Sequence, residues 1–519
     1  MNTKHTRFWI AVFLAITAAT AGNAQPGALD PTFNATGYVV HTIDSTWNYP
    51  MALFVSPDGK ILTGGYKCDT NQLPIITTLI ILRYNPDGTP DVGFGVNGMV
   101  SADYSSSALD ITVQLDGKIL VAGSGKIGSQ TKGNFTIYRL NPDGSFDNSF
   151  GEGGIVQDTL GNFSSSVTLF PDGKILASGV GYTTLGLKTA FYLLKKYNPD
   201  GTPDMTFGNS GFITTQIANC TGAYVLGMVM QADDKILLGD EVKIGRNCNA
   251  MIRYNPDGSL DQGFGTGGIV VDSAGLRNGN YKLAVQADGK ILVPGYVYPT
   301  DLSHPHYSLF RYNPDGSRDS TFHSDGHYIG EEGAAYDITI QQDGKIILCG
   351  NQKNDSTIKR GIVSRYLPSG DPDPAFGIEG KADIMIPENP GGMSKVVVAP
   401  DGKIVTSGYC NELLSSTGML LRRNTLTVRL NSFGLGMVES ADNASVSISP
   451  NPFHEKILVE AAGLKGSVIN VISMDGRLLG TFRPGSDRKS IDVDWLEAGM
   501  YLLNVHLERS LVSRRIIKL

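Results

Sequence analysis

Residues 108–150 read ALDITVQLDGKILVAGSGKIGSQTKGNFTIYRLNPDGSFDNSF, and this stretch decides the fold. It holds two turn phrases, Asp116-Gly-Lys and Asn141-Pro-Asp-Gly, set among alternating, β-branched runs of strand length at 108–114, 119–123 and 135–140, with a fourth at 154–158. In the first phrase Gly accepts a positive φ that a Cβ would forbid, which suits a hairpin. In the second, Pro brings a fixed φ and Asp a side chain able to bond the backbone. The unit is therefore a four-stranded meander, its strands labelled A to D.

The unit recurs. Asp-Gly-Lys begins at Asp58, Asp116, Asp172, Asp288, Asp343 and Asp401, and Asp233-Asp234-Lys235 fills the one gap, so that copies stand 55 to 61 residues apart. Asn-Pro-Asp-Gly follows at Asn85, Asn141, Asn198, Asn255 and Asn313, weakening to Leu367-Pro-Ser-Gly and then to Leu430-Asn-Ser-Phe-Gly. A Phe lies nine residues beyond the first Asn, at Phe94, Phe150, Phe207, Phe264 and Phe322.

A four-stranded meander buries no core alone, so the copies must stack and their edges must be closed. Residues 29–40 hold the end of a repeat without its beginning, and the seventh copy stops near residue 436 with its beginning only. The N-terminal strand is thus expected to complete the last unit. The expected fold is all-β: a closed seven-bladed β-propeller over residues 25–436, with an open solenoid as the less economical arrangement, then a linker at 437–444 and a small β-sandwich at 445–519. The 63 Gly, 25 Pro and 18 % charged residues of this 519-residue chain suit many short strands and tight turns.

Lys4 and Arg7 precede an apolar run over residues 8–21, and small residues at Gly22 and Ala24 read as an export-signal cleavage site between Ala24 and Gln25. The run is too short to span hydrocarbon, and no later segment is long and apolar enough. Cleavage would move the formal net charge from −7 to −9, which argues against nucleic acid as a partner. The charge is uneven, +2 over residues 445–519 against −11 over 25–444, as two independently built units would show. Five cysteines remain, an odd number. Cys220 and Cys248 lie equally far from the turn at Asp234 and are expected to form a disulfide across a hairpin.

After the linker come apolar runs at 446–449, 457–460, 468–472, 501–506 and 511–519, with Asp475-Gly476 as a turn.

The repeat phrases resemble those of the delta-60 repeat β-propellers over residues 29 to about 436, a likeness that bears on fold and little on activity. The C-terminal residues are similar to the type A sorting domain of the bacterial type IX secretion system. The matching features are Ser449 to Phe453 with Pro450, Asn451 and Pro452, the stretch from Met474 to Arg477, Gly499 and Tyr501, and the basic-apolar end that includes Lys518. Ser449 stands where that family often has Tyr. The resemblance implies a partner, the type IX secretion machinery, and a location in the medium or on the outer cell surface.

Both regular turns of the meander lie on one face of a propeller. The B–C and D–A connections, for example 66–77, 179–189, 295–306 and 409–421, vary in length and sequence and lie on the other, where binding usually resides. Six residues before each A–B turn stand Ala52, Asp110, Ser166, Gly227, Lys282, Asp337 and Lys395, each followed by an apolar residue. The four charges among them are expected at the mouth of the central channel, either as a ligand site or paired with one another. Trp47, Tyr49, Tyr66, Tyr296 and Tyr409 fall in or near the variable connections and suit stacking on sugar or peptide.

Calcium is weighed at Asn85 to Asp91, but turn chemistry accounts for those oxygens. His304, His306, His323 and His327 cluster in sequence, yet fall on opposite faces. The helix pattern of zinc proteases, the nucleophile elbow, the phosphate loop and the dinucleotide fingerprint are all missing. No metal, cofactor or catalytic residue is expected. The expected function is a non-enzymatic scaffold that binds surface glycan or protein, against a hydrolase or lyase working at the channel mouth, or a structural envelope protein.

Overall fold

The computed structural model describes residues 25–518 apart from 45, 70–75, 103–105, 126–132, 183–189, 273–276, 281, 300–303, 354–358, 388–389, 414–419, 433–445, 450–452, 462, 474–477, 498 and 507–510. Among the described residues every regular element is a strand. The expected signal segment and the whole of the expected linker lie outside them.

The second repeat shows the plan. Strands A (Ser107–Val113), B (Ile119–Gly125), C (Asn134–Leu140) and D (Ile155–Asp158) pair antiparallel in order. All of strand C is buried, because neighbouring sheets cover both of its faces. The first repeat (Trp47–Val55, Ile61–Cys68, Thr77–Tyr84, Met99–Ala102), the third (Phe163–Leu169, Ile175–Tyr182, Ala190–Tyr197, Phe212–Thr215) and the fourth (Ala223–Met230, Ile236–Ile244, Arg246–Tyr254, Ile269–Asp272) repeat it. The fifth and sixth depart from it. The single strand His327–Ile340 serves as D of one and A of the other, merging them into an eight-stranded sheet in place of the expected D–A loop.

The last sheet contains Pro390–Val398, Ile404–Leu413 and Leu420–Leu430, and its fourth strand is Tyr38–His41 from the other end of the chain. Tyr38 lies opposite Val428 and His41 opposite Thr425. The core is split between sheets. Ile81, Phe94, Ile111, Val121 and Tyr138 join the first repeat to the second, while Phe33, Val39, Ile61, Leu82, Tyr84 and Val405 join the last sheet to the first repeat.

A polar latch on the regular-turn face reinforces each seam. In the first repeat Asp91 receives Lys60 at 2.8 Å and Arg83 at 2.7 Å, and the Arg83 guanidinium stacks 4.3 Å from the Phe94 ring centre. The same guanidinium donates to the Pro142 carbonyl of the next repeat, and the Gly95 N–H to the Asp143 carbonyl at 2.7 Å. The set recurs with Arg139, Arg253, Arg311 and Arg365. At the closing seam Arg429 and Lys403 meet Asp30 at 2.6 and 2.8 Å, Arg429 donates to the Pro86 carbonyl, and the Asn34 N–H to the Asp87 carbonyl at 2.6 Å. The third repeat substitutes Lys196, whose ammonium sits 3.8 Å over the Phe170 ring.

The C-terminal strands form two sheets, Ser447–Ser449 with Lys456–Glu460 and Arg488–Asp492, and Leu478–Phe482 with Val468–Ser473, Gly499–His506 and Leu511–Lys518. They share a core of Phe453, Ile457, Val459, Ile469, Val471, Ile491, Leu503 and Ile516. This is the expected sandwich, with two strands more than the apolar runs indicated. Arg488–Asp492 reads RKSID, too polar to register as a strand by composition.

The expected Cys220–Cys248 disulfide is not formed. Symmetry about Asp234 assumed one hairpin, but the chain turns again at Gly245, which places Cys248 on strand C opposite Val242. Strand B thus intervenes. Cys220, just ahead of strand A, directs its thiol to the Gly222 carbonyl at 3.0 Å.

Candidate binding face and channel mouth

The inner strands carry a bulge at one register. It falls immediately before Ala52, Asp110, Ser166, Gly227 and Asp337, and one of two bulges in the last inner strand falls immediately before Lys395. A bulge re-aims the side chain beside it. In the fifth repeat the inner strand is instead broken between Arg277–Asn280 and Ala284–Val285, and Lys282 lies in the break.

The charges at this register engage one another. Asp110 accepts the Ser166 hydroxyl at 2.7 Å and the Val167 N–H at 3.1 Å. Asp337, only 2 % exposed, accepts the Val396 N–H at 2.9 Å and lies 3.5 Å from the Lys282 ammonium. Asp337, against burial, raises the pKa of Lys282, with help from Asp110. Burial, aided by Lys282, lowers that of Lys395 despite Asp337. Cys349 beside them is fully buried, and burial together with Asp337 pushes its thiol far up.

The aromatics divide into two places, and all four site candidates lie on strands rather than in loops. Trp47 belongs to Trp47–Val55, Tyr66 to Ile61–Cys68, Tyr296 to Ile291–Tyr298 and Tyr409 to Ile404–Leu413. The reason is that strands B and C keep pairing towards the variable face, as far as Cys68 opposite Thr77.

Tyr49 and Tyr66 stack with ring centres 4.9 Å apart and planes at 19°. The Arg423 guanidinium stands 5.1 Å from the Trp47 ring, 5.2 Å from Tyr49 and 4.5 Å from Tyr409. The cluster thus bridges the first repeat and the last, and each member is half-buried. Arg423 has no ion-pair partner among the described residues, and its buried Nε makes no hydrogen bond. Its neighbour Arg422 is held by Glu412 through two contacts of 2.6 and 3.1 Å. Arg423 escaped sequence reasoning, since it has no counterpart in the repeat. The doublet Arg422-Arg423 opening an apolar strand was the available signal.

Tyr296 lies elsewhere, its hydroxyl donating to Glu241 at 2.8 Å. His304 and His306 approach Glu332 and the Gly330 carbonyl, whereas His323 meets Asp371 and His327 the Asp325 carbonyl. Asp87 accepts the Thr89 N–H at 2.9 Å and its hydroxyl at 2.7 Å, a turn-building role.

In the sandwich Tyr501 donates to the Glu497 carbonyl, two residues before Gly499, and the Lys518 ammonium donates to the carbonyls of Val493 and Asp494 at 3.0 and 2.6 Å. Gln25 donates to the Gly377 carbonyl at 3.1 Å. Ala24, Pro450, Asn451 and Pro452 lie outside the described residues.

Residues 56–94, 114–150, 171–207, 231–264, 286–322 and 341–376 match a domain of unknown function, the DUF5122 beta-propeller. Residues 447–519 match the secretion system C-terminal sorting domain. No curated protein matches the chain. Among solved structures it is remotely similar to PorZ, a surface component of the type IX secretion system of Porphyromonas gingivalis, at 10 % identity, 90 % of this chain, 74 % of that one and a TM-score of 0.26. A protein of unknown function from Dyadobacter fermentans gives 12 %, 76 %, 98 % and 0.37. An α-L-arabinanase of Penicillium chrysogenum, complexed with arabinobiose, gives 13 %, 61 %, 91 % and 0.37. The chain is thus a β-propeller protein of DUF5122 repeats that carries a type IX C-terminal sorting domain, the signal for export to the cell surface or the medium.

Proposed function

We propose that the chain is a non-enzymatic binding scaffold, a closed ring of seven four-stranded blades over residues 25–436, joined through 437–444 to a sorting sandwich at 445–519. The ring holds a glycan or protein ligand on its variable face. The observation that carries this reading is the aromatic cluster of Trp47, Tyr49, Tyr66 and Tyr409 around Arg423, which offers amphipathic rings and a cation without a carboxylate partner among the described residues. At the channel mouth, by contrast, the carboxylates of Asp110 and Asp337 are engaged by Ser166, backbone N–H groups and Lys282.

One observation favours a second reading, a hydrolase or lyase at the channel mouth: the half-buried, pKa-lowered Lys395 stands beside Asp337. Replacing Asp110 and Asp337 together by Asn separates the two. A binder keeps its affinity for a retained ligand, measured on protein whose melting curve is intact, whereas an enzyme loses turnover. A protein that retains no glycan and no surface protein in array and pulldown screens would instead fit a structural envelope role. Deleting residues 447–519 is expected to abolish export, read as loss of the protein from the surface and medium fractions.

A further inference from the structure

Two settings of arginine contrast among the described residues of the ring. On the regular-turn face Arg83, Arg139, Arg253, Arg311, Arg365 and Arg429 each meet an aspartate at 2.6 to 2.8 Å as well as a neighbour's carbonyl. Arg423 is of the other kind. Aromatic faces of two repeats hold it at 4.5 to 5.2 Å, and its Nε is buried without a hydrogen bond.

The Arg423 guanidinium has no ion-pair partner among the described residues, so its charge faces only the rings around it and its terminal amino groups are left for an acceptor. The fork of a guanidinium fits a carboxylate through two parallel hydrogen bonds, and stacking on rings fixes its plane beforehand. Beside it Trp47 and Tyr409 are half-buried, and the part of each ring that the guanidinium leaves uncovered is a flat surface of the kind on which the C–H side of a pyranose packs. One ligand chemistry answers both features: a sugar ring with one apolar face and a carboxylate attached to it.

From this geometry we propose that Arg423, Trp47, Tyr49 and Tyr409 form a recognition site for a carboxylated sugar, a uronate within a surface or extracellular polysaccharide. Arg423 takes the carboxylate and the rings take the pyranose. Tyr66, stacked behind Tyr49, stiffens the platform. The acidic balance of the ring does not oppose such a ligand, since charges more than about 8 Å away are screened at physiological salt. The inference rests on the scaffold reading above and names the ligand class for the same face.

The test uses the whole exported protein, with hexamers of galacturonate, glucuronate and mannuronate as probes and the carboxyl-reduced form of each as its partner, followed by calorimetry. At least one uronate hexamer is expected to bind tenfold or more tighter than its reduced form. R423Q should bring both to the same weak affinity, R423K should fall between, and W47A should weaken both. Matching melting curves show that the variants fold. The proposal is overturned if R423Q binds like the wild type, if acidic and reduced hexamers bind alike, or if only a peptide carboxylate is held. A neutral glycan or protein bound on this face regardless of Arg423 would sink this inference and leave the scaffold reading standing. Retention of no ligand at all would sink both.

Discussion

Asp204 shows what one residue of the latch contributes. A hydrogen bond from the Thr206 hydroxyl, then Lys174 and the Thr206 N–H, hold its pKa at about 2 against the opposing effect of burial. Asp147 and Asp319 are lowered too, through Ser149 and Lys118 in one case and Thr321 and Lys290 in the other, again against burial. A carboxyl whose pKa is lower folded than unfolded stabilises the fold above its unfolded value near 4 and loses that contribution as pH falls through the folded value. Melting temperature is therefore expected to hold from neutral pH to about 4 and to fall steeply between about 4 and 2. D204N should flatten part of that fall, as followed by circular dichroism. Truncating an arginine is harsher, because it leaves its aspartate buried without its nearest partner: R311A is expected to cost about 3 kcal/mol in urea denaturation. These roles were only half legible. Lys and Phe stood out by repetition, but the arginine and aspartate that join them became meaningful only once strand C and the following turn were folded together. Where the third repeat has Lys196, it also has Phe170 beneath the ammonium. A shorter cation and an added ring there replace the usual arginine.

Among the elements, the Asn-Pro-Asp-Gly turn owes its glycine to two demands. At Gly88 φ is +87°, and an added Cβ would meet the Phe33 ring at 2.9 Å; at Gly144 the same clash is with Phe94. G88A should therefore destabilise by about 2 kcal/mol, from left-handed strain and collision together. G153A, with positive φ but nothing within 4 Å, should cost about half that. Comparing the two melting shifts measures the steric part. Turns were readable from sequence because Gly and Pro act through local backbone sterics, and strands B and C because short apolar, β-branched runs between turns mark strands buried on both faces. The outward run of strands B and C was not readable, since pairing beyond the core needs no apolar residue. The shared strand His327–Ile340 was hidden for a similar reason: the absence of a loop leaves no mark in composition. The charged register was legible through its fixed distance from a turn, whereas the setting of Arg423 depends on two repeats meeting.

For the molecule as a whole, the pairing of Tyr38–His41 with Thr425 to Val428 covers the outer edge of the last sheet with a strand from the start of the chain. Removing residues 25–41 would bare that edge and strip Arg429 and Lys403 of Asp30. The shortened protein is expected to associate and to melt at lower temperature and less cooperatively, as read by size-exclusion chromatography and calorimetry, whereas D30N should stay monomeric and lose only stability. The same pairing governs timing. Asp30 and Arg429 are 399 positions apart, so a chain made from its N-terminus holds its first strand idle until the last sheet exists. Contacts of such separation form late. Closure is thus the final step of folding the ring, and the sorting domain, which follows the last sheet in the chain, is synthesised only after every strand needed for closure. By the time that address can be read, its cargo has everything required to be complete.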